Sequence, residues 1–245
     1  MTNAEDPLTG VTCVHAAAAA GALQNAPTSG AAPHLLSKEI AGIRVPDSAL
    51  AQAVTTLVRE ASPQPLFNHV TRSFVFGSRL GQSRGLKFDP ELLFVAAMMH
   101  DLGLTEQHAA EARFEIDGAD AAARILRERN YPELKIDRVW EAIALHASME
   151  IPARRSPEVA LVHLGVFMDA GMNAQELPRN FFDEVFEALP QMGSRAHLLE
   201  SIGAVIRRKP HTAHLVFQKD IGVRTIPDYD PPNFCDLVPP APFHG

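Results

Sequence analysis

The chain has 245 residues, enough to bury one large hydrophobic core, and its 46% hydrophobic and 21% charged content is ordinary for a globular domain. Because 22 Lys and Arg residues stand against 29 Asp and Glu residues, the net charge is -7, which disfavours a nucleic acid partner. No segment has the roughly 18 consecutive apolar residues of a membrane span, and Cys13 and Cys235 form neither a disulfide framework nor a CxxC motif. We therefore expect a cytoplasmic protein with no membrane partner, and a homo-oligomer is compatible with the sequence.

Both ends of the chain are expected to be irregular. Residues 1–36 are rich in Ala, Thr, Pro and Gly without a sustained period, which predicts an N-terminal arm. Glu5 and Asp6 lie where a secretory signal would carry basic residues, so no such signal is expected. Residues 226–245 are rich in proline, which predicts a tail without regular structure. The remaining segment, residues 37–225, is the predicted folded domain.

Hydrophobic residues in this domain recur at helical spacing, and we find no convincing strand, so the expected fold class is all-α. The first helix is expected to be capped by Asp47 and to end near Glu60, and the second to run from about Leu66 to Leu80. Asp89-Pro90-Glu91 has the cap, the first-turn proline and the acid that begin a third helix. A fourth helix is predicted to include Ala121–Leu126 and to end near Asn130. Four further helices are predicted over about Ile136–Ser148, Ser156–Asp169, Arg179–Leu189 and Arg195–Arg208.

The third predicted helix is unusual because its apolar run, Leu92–Met99, ends directly in His100 and Asp101. An unpaired carboxylate against such a helix costs on the order of several kcal/mol unless a metal, a cationic side chain or a hydrogen-bond network neutralises it. His100 and Asp101 are adjacent, about 100° apart on a helix, so both can reach one ion at the helix end. We favour a divalent metal.

Two further ligand-type side chains interrupt apolar helices. His69 lies in FNHV and Asp169 in GVFMDAGM. Taken singly, His69 can be a core histidine and Asp169 a helix-end carboxylate paired with Arg or Lys. Together with His100 and Asp101 they form a mixed nitrogen and oxygen set that suits Zn²⁺, Fe²⁺, Mn²⁺ or Co²⁺.

This order of a histidine, a His-Asp pair and a distant aspartate resembles the HD-domain metalloenzyme superfamily, which is all-helical. The similarity runs from about Asn68 to Met172. Within the superfamily, five segments look like the cyanamide hydratase branch, whose members hydrate a small nitrile at one Zn²⁺: FNHVTRSFVFGSRL, LLFVAAMMHDLGLT, FEIDGADAA, VWEAIALHAS and PEVALVHLGVFMDAG. The resemblance implies a single HD-domain helical bundle, with metal ligands at His69, His100, Asp101 and Asp169, the same residues that the burial argument selects.

The resemblance also bears on the number of metal ions and on catalysis. Dinuclear HD enzymes typically have a histidine four residues before the Gly-Ala of the next helix, and here that position is Phe114. Only the second additional histidine, His146, is present, so we predict one divalent metal, preferably zinc, with iron, manganese or cobalt as alternatives. His146 is the predicted catalytic residue, able to donate or accept a proton. The alternative is a buried imidazole bonded to a backbone carbonyl.

Three charged residues are candidates for contacts to the substrate or to the ligands. Arg72 can bind an anionic substrate or pair with an acid. Glu115 and Asp117 can support the ligands or simply be acids at a helix start. Four other histidines are predicted to be mostly surface groups: His108, His163, His211 and His214.

The function that these residues favour is a hydratase that adds metal-activated water to a small nitrile-type molecule, such as cyanamide. One alternative is an HD phosphohydrolase acting on a nucleotide or another phosphate ester, although Leu104 replaces the acid typical of 5′-deoxynucleotidases. An iron oxidase or oxygenase is disfavoured by Phe114, because those HD enzymes are dinuclear. A further alternative, from a different class, is a non-catalytic helical module with a structural metal.

Overall fold

The structure, a computed structural model, describes residues 36–237, and these form a helical bundle. The predicted N-terminal arm lies outside the described residues except for Leu36, as do residues 238–245 of the tail. The all-α prediction is confirmed. The helices of the described segment are α1 (Ala49–Ala61), α2 (Gln64–Ser83), α3 (Pro90–Met99), α4 (Phe114–Glu128), α5 (Glu133–Leu145), α6 (Pro157–Asp169), α7 (Arg179–Ala188), α8 (Ser194–Arg208), α9 (Gln218–Thr225) and α10 (Phe234–Leu237).

A small hairpin precedes the helices, so the expectation of no strand was wrong at this point. Strands β1 (Glu39–Ile40) and β2 (Ile43–Arg44) pair antiparallel, with Ile40 opposite Ile43. The two residues between them, Ala41 and Gly42, both have positive φ, at 48° and 75°, as a two-residue hairpin turn requires. Strands of two residues are too short to show a sequence period, although both isoleucines are buried.

The helix starts follow local capping chemistry. The Oγ atom of Ser48, not Asp47 as predicted, accepts a hydrogen bond from the Ala51 backbone N–H at 3.1 Å and caps α1. Asp89 caps α3 as expected, because its Oδ1 accepts hydrogen bonds from the Glu91 and Leu92 N–H groups. Pro90 occupies the first helical turn, where its missing N–H costs nothing.

Helices α2 and α6 pack closely because glycines lie at their contact. A methyl group added to Gly165 would lie 2.0 Å from the Ser73 carbonyl oxygen, and one added to Gly77 would lie 2.6 Å from the Leu161 carbonyl oxygen. The two backbones therefore approach each other more closely than any side chain would allow. This contact brings the N-terminal half of α2 beside the C-terminal end of α6, the locations of His69 and Asp169.

Helix α3 is the centre of the bundle. Every residue from Leu92 to Met99 is buried, which fits a helix that is apolar on all sides. Immediately after it, Gly103 allows the start of α4 to approach, since a methyl group there would lie 1.9 Å from the Phe114 carbonyl oxygen. The turn that contains His100 and Asp101 is thus enclosed by α4.

The C-terminal part of the described chain is more helical than expected. A second, smaller core joins Phe114 of α4 to Ile202 and Ile206 of α8. Helix α9 was not predicted, and α10 lies in the tail that was expected to lack regular structure. The start of α10 follows the last proline before it, and Asn233 Oδ1 accepts a hydrogen bond from the Cys235 N–H. None of the helices in the described segment is long and apolar enough to cross a membrane.

Candidate metal centre

Three predicted ligands meet in a buried site between α2 and the turn after α3. The Nε2 atom of His69 lies 3.6 Å from Oδ2 of Asp101, and Nε2 of His100 lies 3.3 Å from the same oxygen. One ligand-type atom from each of His69, His100 and Asp101 lies within 4.8 Å of the others. The site is formed by tertiary packing, since His69 is far from the other two in the sequence.

The same three atoms, His69 Nε2, His100 Nε2 and Asp101 Oδ2, lack a hydrogen-bond partner among residues 36–237 although they are buried. Leaving one buried polar atom unpaired costs about 1–3 kcal/mol, so three at a single point require a common explanation. A divalent cation satisfies two imidazole nitrogens and a carboxylate oxygen together. The donor set therefore fits the metal that the sequence predicts.

In His69 and His100, the hydrogen bond at Nδ1 determines which ring nitrogen carries the proton. His69 donates its Nδ1–H to Asp169 Oδ2 at 2.6 Å, and His100 donates its Nδ1–H to the Ala97 carbonyl oxygen at 2.7 Å. Because a carboxylate and a carbonyl can only accept, Nδ1 carries the proton in both rings. The lone pair is then on Nε2, the atom directed at Asp101, which is the tautomer a metal ligand needs.

Asp169 lies behind His69, outside the group of three ligand atoms. Besides the His69 proton, its carboxylate accepts hydrogen bonds from Arg72, from Nε to Oδ1 at 2.5 Å and from Nη2 to Oδ2 at 2.8 Å. The structure thus brings Asp169 to His69 and Arg72. Direct ligation by Asp169 stays a prediction.

His146 follows α5 and faces the other side of the Asp101 carboxylate. Its Nδ1–H donates to the Ile143 carbonyl oxygen at 2.7 Å, and its Nε2 lies 3.8 Å from Asp101 Oδ1. Its ring centroid is 4.8 Å from that of His100. The hydrogen bond to a backbone carbonyl therefore accounts for only one ring nitrogen, and the other faces the candidate metal centre.

The ionisable side chains of this site shift one another's pKa values. Burial opposes the charge of Asp101, but His100, His69 and His146 together outweigh it and lower the pKa of the carboxyl. Burial also opposes the charge of His100, and the adjacent Asp101 outweighs it and raises the pKa of that imidazole. For His146, burial and then the like charge of His100 lower the pKa to about 3. This direction favours the neutral form of His146, and the hydrogen bond to Ile143 then puts the proton on Nδ1 and the lone pair on Nε2.

The Asp169 carboxyl is also held in its charged form. Burial alone would raise its pKa, but the hydrogen bonds from Arg72 and His69 outweigh that effect and lower it. An ionised Asp169 keeps the proton on His69 Nδ1, so this carboxylate supports the metal-binding tautomer.

Phe114 forms the wall of the site beside His146. Its ring centroid lies 5.7 Å from that of His146 and 6.4 Å from that of Phe217, just before α9. The position at which dinuclear relatives have a histidine is thus occupied by an apolar ring with no ligand atom.

Glu115 and Asp117 are buried and engaged by other residues. Glu115 Oε1 accepts a hydrogen bond from Gln218 Nε2 at 2.7 Å and another from Arg113 Nη2 at 3.0 Å. Asp117 accepts the N–H groups of Ala110 and Ala112 and pairs with Lys209. These contacts attach the start of α4 to the C-terminal helices, and neither carboxylate belongs to the group of three ligand atoms.

His163 is a residue that sequence reasoning missed. It is one of the four histidines predicted to be mostly surface groups, but it is only 8% exposed and donates its Nδ1–H to the His146 carbonyl oxygen at 2.8 Å. It occupies α6, whose apolar neighbours Leu161 and Val162 gave the one available signal of burial. Lys209 and Gln218 were missed as well, because Lys209 follows two arginines and Gln218 precedes Lys219 and Asp220, so both resemble exposed polar groups.

Comparison with known protein families identifies the segment that contains this site. The family model described as HD domain matches residues 66–170. Comparison with curated proteins gave no match. The matched segment contains all five of the predicted ligand and catalytic residues, His69, His100, Asp101, His146 and Asp169. Residues 66–170 are therefore similar to the HD domain, whose superfamily consists of metal-dependent hydrolases.

Proposed function

We propose that this protein is a mononuclear metal-dependent hydratase that adds water to a small nitrile-type molecule, with cyanamide converted to urea as the leading reaction. The observation that carries the proposal is the convergence of three imidazole Nε2 atoms, from His69, His100 and His146, on the two oxygens of one buried aspartate. Among the described residues, the Nε2 atoms of His69 and His100 and the Oδ2 atom of Asp101 have no hydrogen-bond partner, as ligand atoms would, and Nε2 of His146 lies on the other side of the same carboxylate, where it can act as a base.

The ligands in this proposal are His69, His100 and Asp101, with Asp169 either as a fourth ligand or as the acceptor that orients His69. These residues would hold a divalent cation, zinc in preference to iron, manganese or cobalt, which would lower the pKa of a water molecule so that it can attack near neutral pH. His69 and His100 contribute neutral nitrogen donors, and Asp101 contributes the negative charge that favours a cation.

His146 moves the proton. Its Nδ1–H is held by the Ile143 carbonyl, so Nε2 accepts a proton as the water oxygen forms its bond to the nitrile carbon. The same Nε2 then gives that proton to the nitrile nitrogen. A second proton passes from the added oxygen to nitrogen, and the product is the amide, which is urea when the substrate is cyanamide.

The walls of the site favour a small, uncharged substrate. Phe114 places an apolar ring next to His146, and Phe217 packs against Phe114. Arg72, the buried cation nearest His69 in α2, already directs its guanidinium at protein acceptors, so it offers nothing to a phosphate. These features support nitrile hydration over phosphate ester hydrolysis. Phosphate ester hydrolysis is the second candidate because HD domains are generally metal-dependent hydrolases.

The test combines metal analysis with a substrate panel. Purified protein would be assayed for bound metal by elemental analysis, then for urea formation from cyanamide, amide formation from other small nitriles, and phosphate release from nucleotides. We expect urea formation that requires the metal and is lost in His146→Ala, which should retain the metal. His211→Ala, at an exposed histidine, is the matched control and should behave as wild type.

Different results would select the alternatives. Metal-dependent phosphate release without urea formation would replace the hydratase by a phosphohydrolase. Bound metal with no turnover on any substrate would favour a structural site. A His146→Ala protein with normal metal content and normal turnover would remove His146 from the mechanism.

A further inference from the structure

Arg72 is a completely buried cation on α2, one turn after His69, with 0% of its surface exposed. A guanidinium has five N–H donors and no acceptor. In this structure the guanidinium makes five hydrogen bonds: Nε to Asp169 Oδ1, Nη2 to Asp169 Oδ2, Nη1 to the carbonyl oxygens of Leu189 and Pro190, and Nη2 to Ser194 Oγ. Every donor is matched by a protein acceptor, so none is left for a substrate.

Two of these bonds reach the candidate metal centre through one intermediate. Arg72 holds both oxygens of Asp169, and Asp169 Oδ2 accepts the Nδ1–H of His69 at 2.6 Å. A two-pronged guanidinium contact fixes the plane of a carboxylate as well as its position. Arg72 therefore determines where the acceptor for His69 lies.

The other three bonds reach the turn between α7 and α8, residues 189–194. The Pro190 carbonyl oxygen also accepts a hydrogen bond from Asn68 Nδ2 at 2.8 Å. Met192 and Gly193 in this turn have positive φ, at 49° and 75°, a conformation that residues other than glycine adopt uncommonly. The turn lies outside residues 66–170, the segment matched by the HD-domain model.

We propose that Arg72 is a positioning residue through which the α7–α8 turn, residues 189–194, forms part of the metal centre. The turn orients Arg72, Arg72 orients Asp169, and Asp169 keeps the Nδ1 proton on His69 so that Nε2 faces the metal. This inference rests on the metal-binding half of the proposed function and is independent of the substrate. It assigns Arg72 to metal affinity and not to recognition of an anionic substrate.

The test uses two variants at opposite ends of the network. Arg72→Lys keeps a positive charge but loses the two-pronged contact of the guanidinium with the Asp169 carboxylate. Ser194→Ala removes one acceptor of Arg72 far from the metal ligands. Ser83→Ala is the control, since that hydroxyl lies on the same helix and, within residues 36–237, donates to the Leu80 carbonyl oxygen alone. Zinc affinity would be measured by competition with a chelator at a temperature where circular dichroism shows each variant to be folded.

We expect zinc to bind roughly 10- to 100-fold more weakly to Arg72→Lys, the range seen when a partner of a metal-binding histidine is lost. Ser194→Ala should weaken zinc binding in the same direction by a smaller factor, and Ser83→Ala should not change it. In the metal-free protein, nitrogen NMR should show that His69 is the Nδ1–H tautomer in wild type and a mixture of tautomers in Arg72→Lys.

The proposal is overturned if folded Arg72→Lys and Ser194→Ala both bind zinc as tightly as wild type, or if only KM for an anionic substrate changes. If Arg72→Lys does not fold, Ser194→Ala decides the question. Failure of the hydratase proposal would look different, because wild type would then bind zinc and orient His69 as described without hydrating any nitrile.

Discussion

His163 donates its Nδ1–H to the backbone carbonyl oxygen of His146 at 2.8 Å, which joins the middle of α6 to the residue that follows α5. The ring of His146 is separately held by Ile143. Backbone and side chain of the proposed catalytic histidine are therefore fixed by different elements, and its Nε2 has little freedom to leave Asp101.

Replacing His163 should consequently affect turnover more than metal binding. His163→Asn places an amide N–H near the position of Nδ1 and should preserve turnover, whereas His163→Leu leaves the buried His146 carbonyl without a donor. We expect the Leu variant to lose about 1–3 kcal/mol of folding free energy and about tenfold in kcat, with zinc content unchanged. Steady-state kinetics and urea denaturation would measure both, and equal kcat in Asn and Leu variants would contradict the role.

Removing the metal should lower the stability of the protein. A ligand that binds only the folded state stabilises it by about 2.7 kcal/mol at a concentration of 100 times Kd. Addition of a chelator should thus lower the melting temperature of wild type. Asp101→Asn, which lacks the shared anionic ligand of the site, should show little response to either zinc or chelator; a wild-type response in that variant would place the metal elsewhere.

Gly165→Ala should separate α2 from α6. Its methyl group would meet the Ser73 carbonyl oxygen at 2.0 Å, and backbone cannot move aside as a flexible side chain can. We expect a loss of about 1–3 kcal/mol or more in folding free energy together with weaker zinc binding, because His69 and Asp169 lie on the separated helices.

The matched control is Gly203→Ala on α8, where the nearest atoms to an added methyl group lie at 3.7 Å. This change should be neutral or stabilise the protein by about 0.4–1 kcal/mol, since alanine restricts the unfolded chain. Equal effects of the two substitutions would refute the argument from close packing.

Glu115 should make stability depend on pH. Burial outweighs the opposing contributions of Arg113 and Gln218 and raises the pKa of its carboxyl above the ordinary value of 4.5. The folded protein therefore binds this proton more tightly than the unfolded chain. The contribution of Glu115 to stability is greatest below pH 4.5 and is lost as the pH rises through the folded-state pKa.

Glu115→Gln should remove that loss, because an amide stays neutral. In urea denaturation followed from pH 4 to pH 8, the variant should gain stability relative to wild type as the pH rises. Glu128→Gln, at the exposed end of α4, serves as the control and should follow wild type. A difference between Glu115→Gln and wild type that is constant with pH would show that the effect is not one of ionisation.

The sequence was sufficient to predict most helices and the core of the candidate site, because both depend on local signals. Asp89 and Pro90 predict a helix start from local sequence alone. His69, His100 and Asp101 interrupt apolar helices, and a buried ionisable group must have a partner. The fold class followed from the helical signals, whereas the segment similar to the HD domain followed from the resemblance of its motifs to that family.

Features that depend on distant backbone atoms could not be predicted. The acceptors of Arg72 include the Leu189 and Pro190 carbonyls, and any residue type supplies a carbonyl. The apolar neighbours Leu161 and Val162 indicate that His163 is buried, but they do not indicate that it bonds the backbone carbonyl of His146. Lys209 follows two arginines and resembles a solvated charged segment, yet it is buried against Asp117.

The five hydrogen bonds of Arg72 also bear on where a cut through this chain would be tolerated. A fragment ending at residue 170 would keep the charge of Arg72 and its contact with Asp169 but would lose three of the five acceptors, since Leu189, Pro190 and Ser194 would be gone. Leaving a buried cation without most of its partners costs a large part of the folding free energy, because the net stability of a folded protein is small. We therefore expect residues 66–170, the segment similar to the HD domain, to need the chain as far as the start of α8 in order to fold.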